Sequence, residues 1–282
     1  MNAVGAANFP LRNRAPAAFL PVSLPLMNVR STLVPLALVL LWVGPVQAET
    51  AGEVIARARA YLGTESALNA VRTIHFSGRL EGTEKVRDSA DKTKTVDQPV
   101  SLPAEIIFQK PYQQLITLVR PDAVETTALD DYDAWQRRTN PAKPGQWTVN
   151  LLDGGQIKRL RANTWENLSF FAGLEKKGGH VQAGEDTTVE GVVCAKLSFV
   201  HDDNIVFIRY FEKNSGRLIK TVTESGTEIR EEGELFANGV RFPRKVISKA
   251  PNGQVTVIVF DRVVVNETVP AGEFAVPALR AN

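Results

Sequence analysis

A chain of 282 residues with one cysteine cannot cross-link itself, so its folded state must rest on a packed core even in an oxidising compartment. That residue, Cys194, lies in the apolar run Gly191-Val192-Val193-Cys194-Ala195-Lys196-Leu197, which reads as a strand holding a buried, unreactive thiol. Histidine is scarce as well. His75, His180 and His201 stand far apart with no His-x-x-x-His spacing, which argues against a zinc site. Asp130-Asp131-Tyr132-Asp133 and Asp202-Asp203 lack the glycine and distal glutamate of a calcium loop and read as solvated strand ends. No Gly-x-Ser-x-Gly elbow occurs, and Gly154-Gly155 and Gly178-Gly179 are isolated pairs, the first read as a turn rather than a phosphate loop between strand and helix. The sequence therefore offers no metal, no cofactor and no catalytic residue to assign, and the expectation is a protein that is not an enzyme.

Acidic side chains are missing from residues 1–48, which carry Arg12, Arg14 and Arg30 and the apolar run Leu33 to Val43, followed by Val46-Gln47-Ala48. A positive start, a short apolar middle and small residues at the end describe a cleavable secretory signal. Eleven residues at 1.5 Å rise span roughly 16 Å, about half a bilayer core, too short for a retained membrane helix. Met27-Asn28-Val29-Arg30 makes a more usual opening for such a signal than Met1, leaving both open as the start and residues 1–26 as an upstream extension. No cysteine stands near Ala48 to accept a lipid anchor. The expected mature protein is thus residues 49–282, a single soluble domain in the periplasm. Loss of the three arginines leaves 30 basic against 31 acidic residues, a net charge near −1 in place of +2. Lys158-Arg159-Leu160-Arg161 and Arg241 to Lys249 are short, interrupted basic stretches, so nucleic acid is not an expected partner.

What remains is mostly strand. Thr50-Ala51-Gly52-Glu53 has capping-box spacing, and Val54, Ile55, Ala58, Tyr61 and Leu62 follow at helical intervals to Gly63. Ser66 to Val71 adds a short helical turn. A first strand runs through Ile74, Phe76, Gly78 and Leu80, and the charged stretch Glu84 to Gln98 reads as a mobile loop. Strands are predicted over 104–109, 113–119, 124–129 and 134–138, with a loop over Asn140 to Gly145 and a second helix from Asn163 through Trp165, Leu168, Phe170, Phe171 and Leu174. Thereafter Gly191, Asn214-Ser215-Gly216, Asn238-Gly239 and Asn252-Gly253 punctuate alternating runs, the mark of hairpins. Ten or eleven antiparallel strands with two main helices give a mainly β (α+β) chain whose sheet must curl and fill its concave side with side chains, a helix or a ligand.

Three stretches carry a family likeness: the opening helix leading into Ile74-His75-Phe76-Ser77-Gly78, the pair around Ile107-Phe108-Gln109-Lys110-Pro111-Tyr112, and Asp133-Ala134-Trp135-Gln136. With Asn266, Pro270, Phe274 and Pro277 at the end, they resemble the outer-membrane lipoprotein carrier and sorting proteins, the LolA/LolB-like superfamily of exported bacterial proteins, over most of residues 51–277. The resemblance implies a half-open β-barrel of about eleven strands, covered by helices, whose hollow accepts acyl chains. It also implies a lid contact at Lys110, where carrier members have an arginine; lysine lacks the planar fork of that group.

The candidate ligand surface is aromatic: Phe108, Trp135, Trp147, Trp165, Phe170, Phe171 and Phe260. The expected function is non-covalent carriage or sorting of lipid or lipoprotein acyl chains by a monomer. The alternative is an envelope-stress or assembly module that reads a partner protein with the same barrel.

Overall fold

A computed structural model describes residues 49–87, 91, 93–270 and 272–278. The expected export signal and the choice of start lie outside the described residues. Helix α1 (Ala51–Leu62) begins on the Thr50 capping box and α2 (Glu65–Ala70) on Thr64, whose hydroxyl accepts from the Ala67 amide. There follow β1 (Thr73–Arg87), β2 (Thr95–Gln109), β3 (Gln113–Val119), β4 (Val124–Asp130), β5 (Asp133–Asn140) and β6 (Lys143–Leu151), then helix α3 (Gly154–Ser169). The second half holds β7 (His180–Ala183), β8 (Thr187–Val189), β9 (Val192–Asp202), β10 (Ile205–Glu212), β11 (Leu218–Thr223), β12 (Glu228–Ala237), β13 (Val240–Lys249) and β14 (Val255–Val265).

These strands make one 14-stranded antiparallel sheet, ordered β6-β5-β4-β3-β2-β1-β14-β13-β12-β11-β10-β9-β7 with β8 on β9, against the eleven or so expected. It is open, since β6 and β7 end the order without pairing with each other. Three local expectations are corrected. Residues 84–87 and 95–98 are strand rather than loop: β1 and β2 stay in register out to Arg87↔Thr95, because a ribbon solvated on both faces needs no apolar alternation to keep its backbone bonds. The loop over 140–145 shrinks to the turn between β5 and β6. Helix α3 starts at Gly154, nine residues before Asn163, because Asp153 and Gln156 form a reciprocal capping box; Gly154-Gly155 therefore joins a strand to a helix.

Which elements touch shows how the sheet curls. α3 packs on β2, β3 and β4, yet its Trp165 and Glu166 also meet His201 and Arg209 on β9 and β10, more than five strands away in the sheet order. Strands lie about 4.8 Å apart and a helix is about 10 Å wide, so one helix reaches both only if the sheet bends around it. β1 carries one source of the bend, a register shift at Ser77/Gly78, where a Cβ on Gly78 would lie 2.0 Å from the Val259 carbonyl oxygen.

α3 stops at Ser169 because Phe170 (φ 50°) and Phe171 (φ 71°) are both left-handed, at a cost of about 1–2 kcal/mol per residue. The buried guanidinium of Arg59 on α1 donates to the Ser169 and Phe170 carbonyls at 3.0 and 2.8 Å, closing the C-terminus that the reversal leaves open. The reversal sends the two rings apart. Phe170 joins a core with Ile74, Phe76, Phe108, Phe242 and Phe260; Phe171 joins another with Trp165, Leu197, Phe199 and Phe211. Among the described residues no helix is long and apolar enough to cross a membrane.

Candidate functional site

Between the helices and the concave face of the sheet lies a hollow of about 730 Å³, inside the roughly 300–1,000 Å³ range of small-molecule sites. Strand alternation supplies its apolar wall. Ile74 and Phe76 on β1, Ile106 and Phe108 on β2, Ile116 on β3, Val246 on β13, and Ile258 and Phe260 on β14 face inward, and Phe170 closes over them from the end of α3. Phe76 stacks on Phe260 at 4.4 Å and meets Phe242 edge-on at 5.7 Å, so this wall is held by ring contacts of its own.

The other end of the hollow is ionic. Arg209 of β10 continues the inward row of Phe207 and Phe211, and it is 6% exposed. Its guanidinium lies 4.8 Å from the Phe171 and Phe199 ring centres and in ion-pair contact with Glu166 of α3, whose other carboxylate oxygen meets His201 Nε2 at 2.6 Å. The Arg209–Glu166 contact is one of charge, since the Arg209 Nη1 and Glu166 Oε2 atoms that meet are not aligned as a hydrogen bond. Glu231 of β12 stands opposite Val246, two residues after inward-facing Ile229. Much of its surface is accessible, but it faces the hollow; enclosure by protein pushes its carboxyl pKa up, with Arg209 opposing the rise.

Glu231 stands where the sheet parts. β11 and β12 pair only at Thr221↔Ile229 and Val222↔Glu228; beyond that, Arg217 and Leu218 on one side and Glu231 and Glu232 on the other line the hollow. Gly233, left-handed at φ 63°, bends β12 just past the parting. At the rim Tyr61 of α1 donates to Glu234 at 3.0 Å, while Arg241 donates to the Tyr61 carbonyl at 3.2 Å and stacks on the Tyr61 ring at 4.5 Å, tying α1 to β12 and β13. Burial, then the Glu234 contact, raises the Tyr61 pKa.

Of the residues proposed from sequence, Phe108, Phe170, Phe171 and Phe260 line this hollow. Trp165 is buried in the second core and borders a separate space of about 150 Å³. Trp135 packs with Leu115, Ala128 and Phe274, its Nε1 donating to the Phe274 carbonyl at 2.9 Å, so it serves to hold the C-terminal segment on the sheet. Trp147 is half-buried on the end strand β6. Lys110, half-buried, is placed through its backbone, which donates to the Arg72 carbonyl at 2.9 Å; burial, then Arg72 and Arg59, lowers its pKa. Glu166, Arg209 and Glu231 were missed by sequence reasoning, although counting every second residue from Phe207 and from Ile229 points to the last two. Cys194 is fully buried and its thiol pKa is pushed up by that burial. Asp131 and Asp202 are engaged by Arg161 and Lys158, and no group of three metal-ligating side chains occurs among the described residues.

No protein-family model matches this sequence, and no curated protein matches it. Solved structures do. A LolA superfamily protein from Nitrosomonas europaea superposes with a TM-score of 0.52 at 12% identity, covering 80% of this chain and 98% of that one. A DUF1329 family protein from Desulfovibrio piger gives 0.52 at 9%, covering 79% and 96%. A proposed outer membrane lipoprotein-sorting protein domain from Vibrio parahaemolyticus gives 0.50 at 9%, covering 79% and 95%. At these identities the likeness is one of architecture: the open, helix-backed antiparallel sheet of this chain is a LolA-like fold.

Proposed function

We propose that this chain is an exported periplasmic carrier, a half-open barrel that holds the acyl chain of a lipid or lipoprotein in its hollow and releases it unchanged. The observation that carries the reading is the hollow itself, about 730 Å³ walled by aromatic and branched side chains that do not fill it. An acyl chain entering it gains about 0.8 kcal/mol per buried methylene, so ten or so methylenes outweigh the ordering cost of a modest complex. Phe108, Phe170, Phe171 and Phe260 supply that surface, and no covalent step is required of any of them. Lys110 contributes through the turn that its backbone anchors rather than as a lid contact on the helices.

Mild extraction of the mature protein followed by mass spectrometry should recover a stoichiometric lipid, and the emptied protein should take up a fluorescent fatty-acid or fatty-alcohol probe as a monomer. Repeated recovery of no lipid together with no uptake of either probe would refute carriage. A partner-protein reading draws on one feature, the end strand β6, whose outer backbone edge is unpaired in the sheet and whose Leu151 is 71% exposed. Capture of one stoichiometric envelope protein, lost when Leu151 is changed to Lys but retained when Phe108 is changed to Ala, would favour it.

A further inference from the structure

The ionic end of the hollow does not balance. Arg209 is matched by Glu166, Arg241 by Glu234, Arg217 by Glu212, and Glu232 by Lys245. Glu231 alone among the carboxylates lining the hollow has no hydrogen bond or ion pair among the described residues. Nothing in the strand asks for an acid there: Ile229 precedes it on the same face, and Val246 and Ile258 lie across the ladder. An isoleucine would complete the wall; Glu231 instead sets a carboxylate without a partner beside it, with part of its surface open to solvent. An ionisable group left without a partner on the wall of a cavity marks a site whose ligand supplies what the protein omits.

We infer that the occupant of the hollow is an amphiphile with an ammonium head, the ammonium seated against Glu231 at the parting of β11 and β12 and the hydrocarbon tail laid along Phe76, Phe108 and Phe260. This deepens the carrier reading and rests on it. The carboxylates of Glu166 and Glu231 and the guanidinium of Arg209 sum to one negative charge in excess. A carboxylate or phosphate head would add to that excess. A hydroxyl could hydrogen-bond to Glu231 but would leave its charge unmatched, whereas an ammonium brings one positive charge and several donors, the stronger, charge-assisted bond.

The test is displacement of pyrene, a neutral apolar fluorophore, from the full mature protein by dodecylamine, dodecanol and dodecanoate, at about pH 8, where an alkylammonium stays protonated. Dodecylamine should bind about tenfold or more tighter than dodecanol, and dodecanoate weakest of the three. Glu231→Gln should bring dodecylamine to the level of dodecanol, and Glu231→Leu, which completes the apolar wall, should do the same if the amide proves to be a partner in its own right. Equal binding of amine and alcohol in the parent protein, a preference for dodecanoate, or an amine preference that survives both substitutions would overturn the head-group inference while leaving carriage intact. Failure of all three to displace pyrene, or of pyrene to bind, would instead remove the carrier reading and this inference with it.

Discussion

The two halves of the concave face are finished differently. Over β9 and β10, Leu197, Phe199 and Phe211 are at most 1% exposed and close against Trp165, Phe171 and Val54 without a gap of ligand size. Over β1, β2, β3, β13 and β14 the same alternation of inward side chains leaves Ile116, Val246 and Ile258 only partly covered, facing empty space. Composition does not separate these halves, since both are rich in Phe, Ile and Val. What separates them is how far the cover reaches: Trp165 of α3, Phe171 just past its end and Val54 of α1 close fully on the first, whereas over the second Leu62, Leu68, Leu168 and Phe170 cover only part of the wall. A sheet face covered throughout becomes core, and one covered in part becomes a site.

Truncation is the most severe test of that contrast. Phe211→Ala removes a fully buried ring that meets Phe171 edge-on at 5.1 Å and should cost about 3–5 kcal/mol in a urea titration. Ile258→Ala enlarges a space that already exists, so it should cost less than about 2 kcal/mol, below the usual range for a close-packed site, while weakening probe binding severalfold. Similar stability losses at both positions would erase the distinction between core and site.

The ion pair between the halves comes next. Arg209→Met leaves Glu166 buried without its cation and should cost about 3 kcal/mol, the low end for breaking such a pair because His201 still meets the other carboxylate oxygen. Adding Glu166→Gln should restore most of it, because the expensive species is the lone charge. If the double variant is no more stable than R209M, the pair is not what Arg209 contributes. Filling is a milder probe. Val246→Trp should cut uptake of the neutral fluorophore by about tenfold or more while changing stability by less than about 1.5 kcal/mol, because the ring enters vacant volume instead of packed core.

How far this contrast could be read from sequence depends on the element. The Thr50 to Glu53 capping box forms as spaced, with both reciprocal bonds present, and the hairpin glycines fall between strands where positive φ is needed. The outer ends of β1 and β2 were hidden because strand patterning records burial, and a strand pair solvated on both faces has none. The start of α3 was hidden behind two glycines that look like breakers, although Asp153 and Gln156 already had capping-box spacing. Within the site, the aromatic wall was half legible: Phe108 and Phe260 follow from alternation, but whether Trp135 or Trp165 reaches the hollow depends on which helix or C-terminal segment covers which strand. Glu231 was concealed in Glu228-Ile229-Arg230-Glu231-Glu232, which reads as a solvated charge run until Ile229 is known to point inward. The volume itself lies between elements far apart in sequence, with the parting of β11 and β12 at one end, and so has no local signature.

The smallest expected effect bears most directly on whether that parted end belongs to the interior or to bulk water. Enclosure raises the Glu231 pKa in the folded protein, against the opposing pull of Arg209. A carboxyl raised in this way favours folding in its protonated form; its contribution is complete below the unfolded value of about 4.3 and is lost as pH rises through the higher folded value. Glu231→Gln has no such titration, so the variant should gain thermal stability relative to the parent as pH climbs from acid towards neutral, and the gap should level off above the folded pKa. Saturating dodecylamine should narrow it again, because an ammonium stabilises the ionised carboxylate within the fold. A gap that stays flat with pH would mean that water reaches Glu231 freely. The hollow would then be a groove with a wet floor, and the contrast with the closed half of the sheet would be one of depth alone.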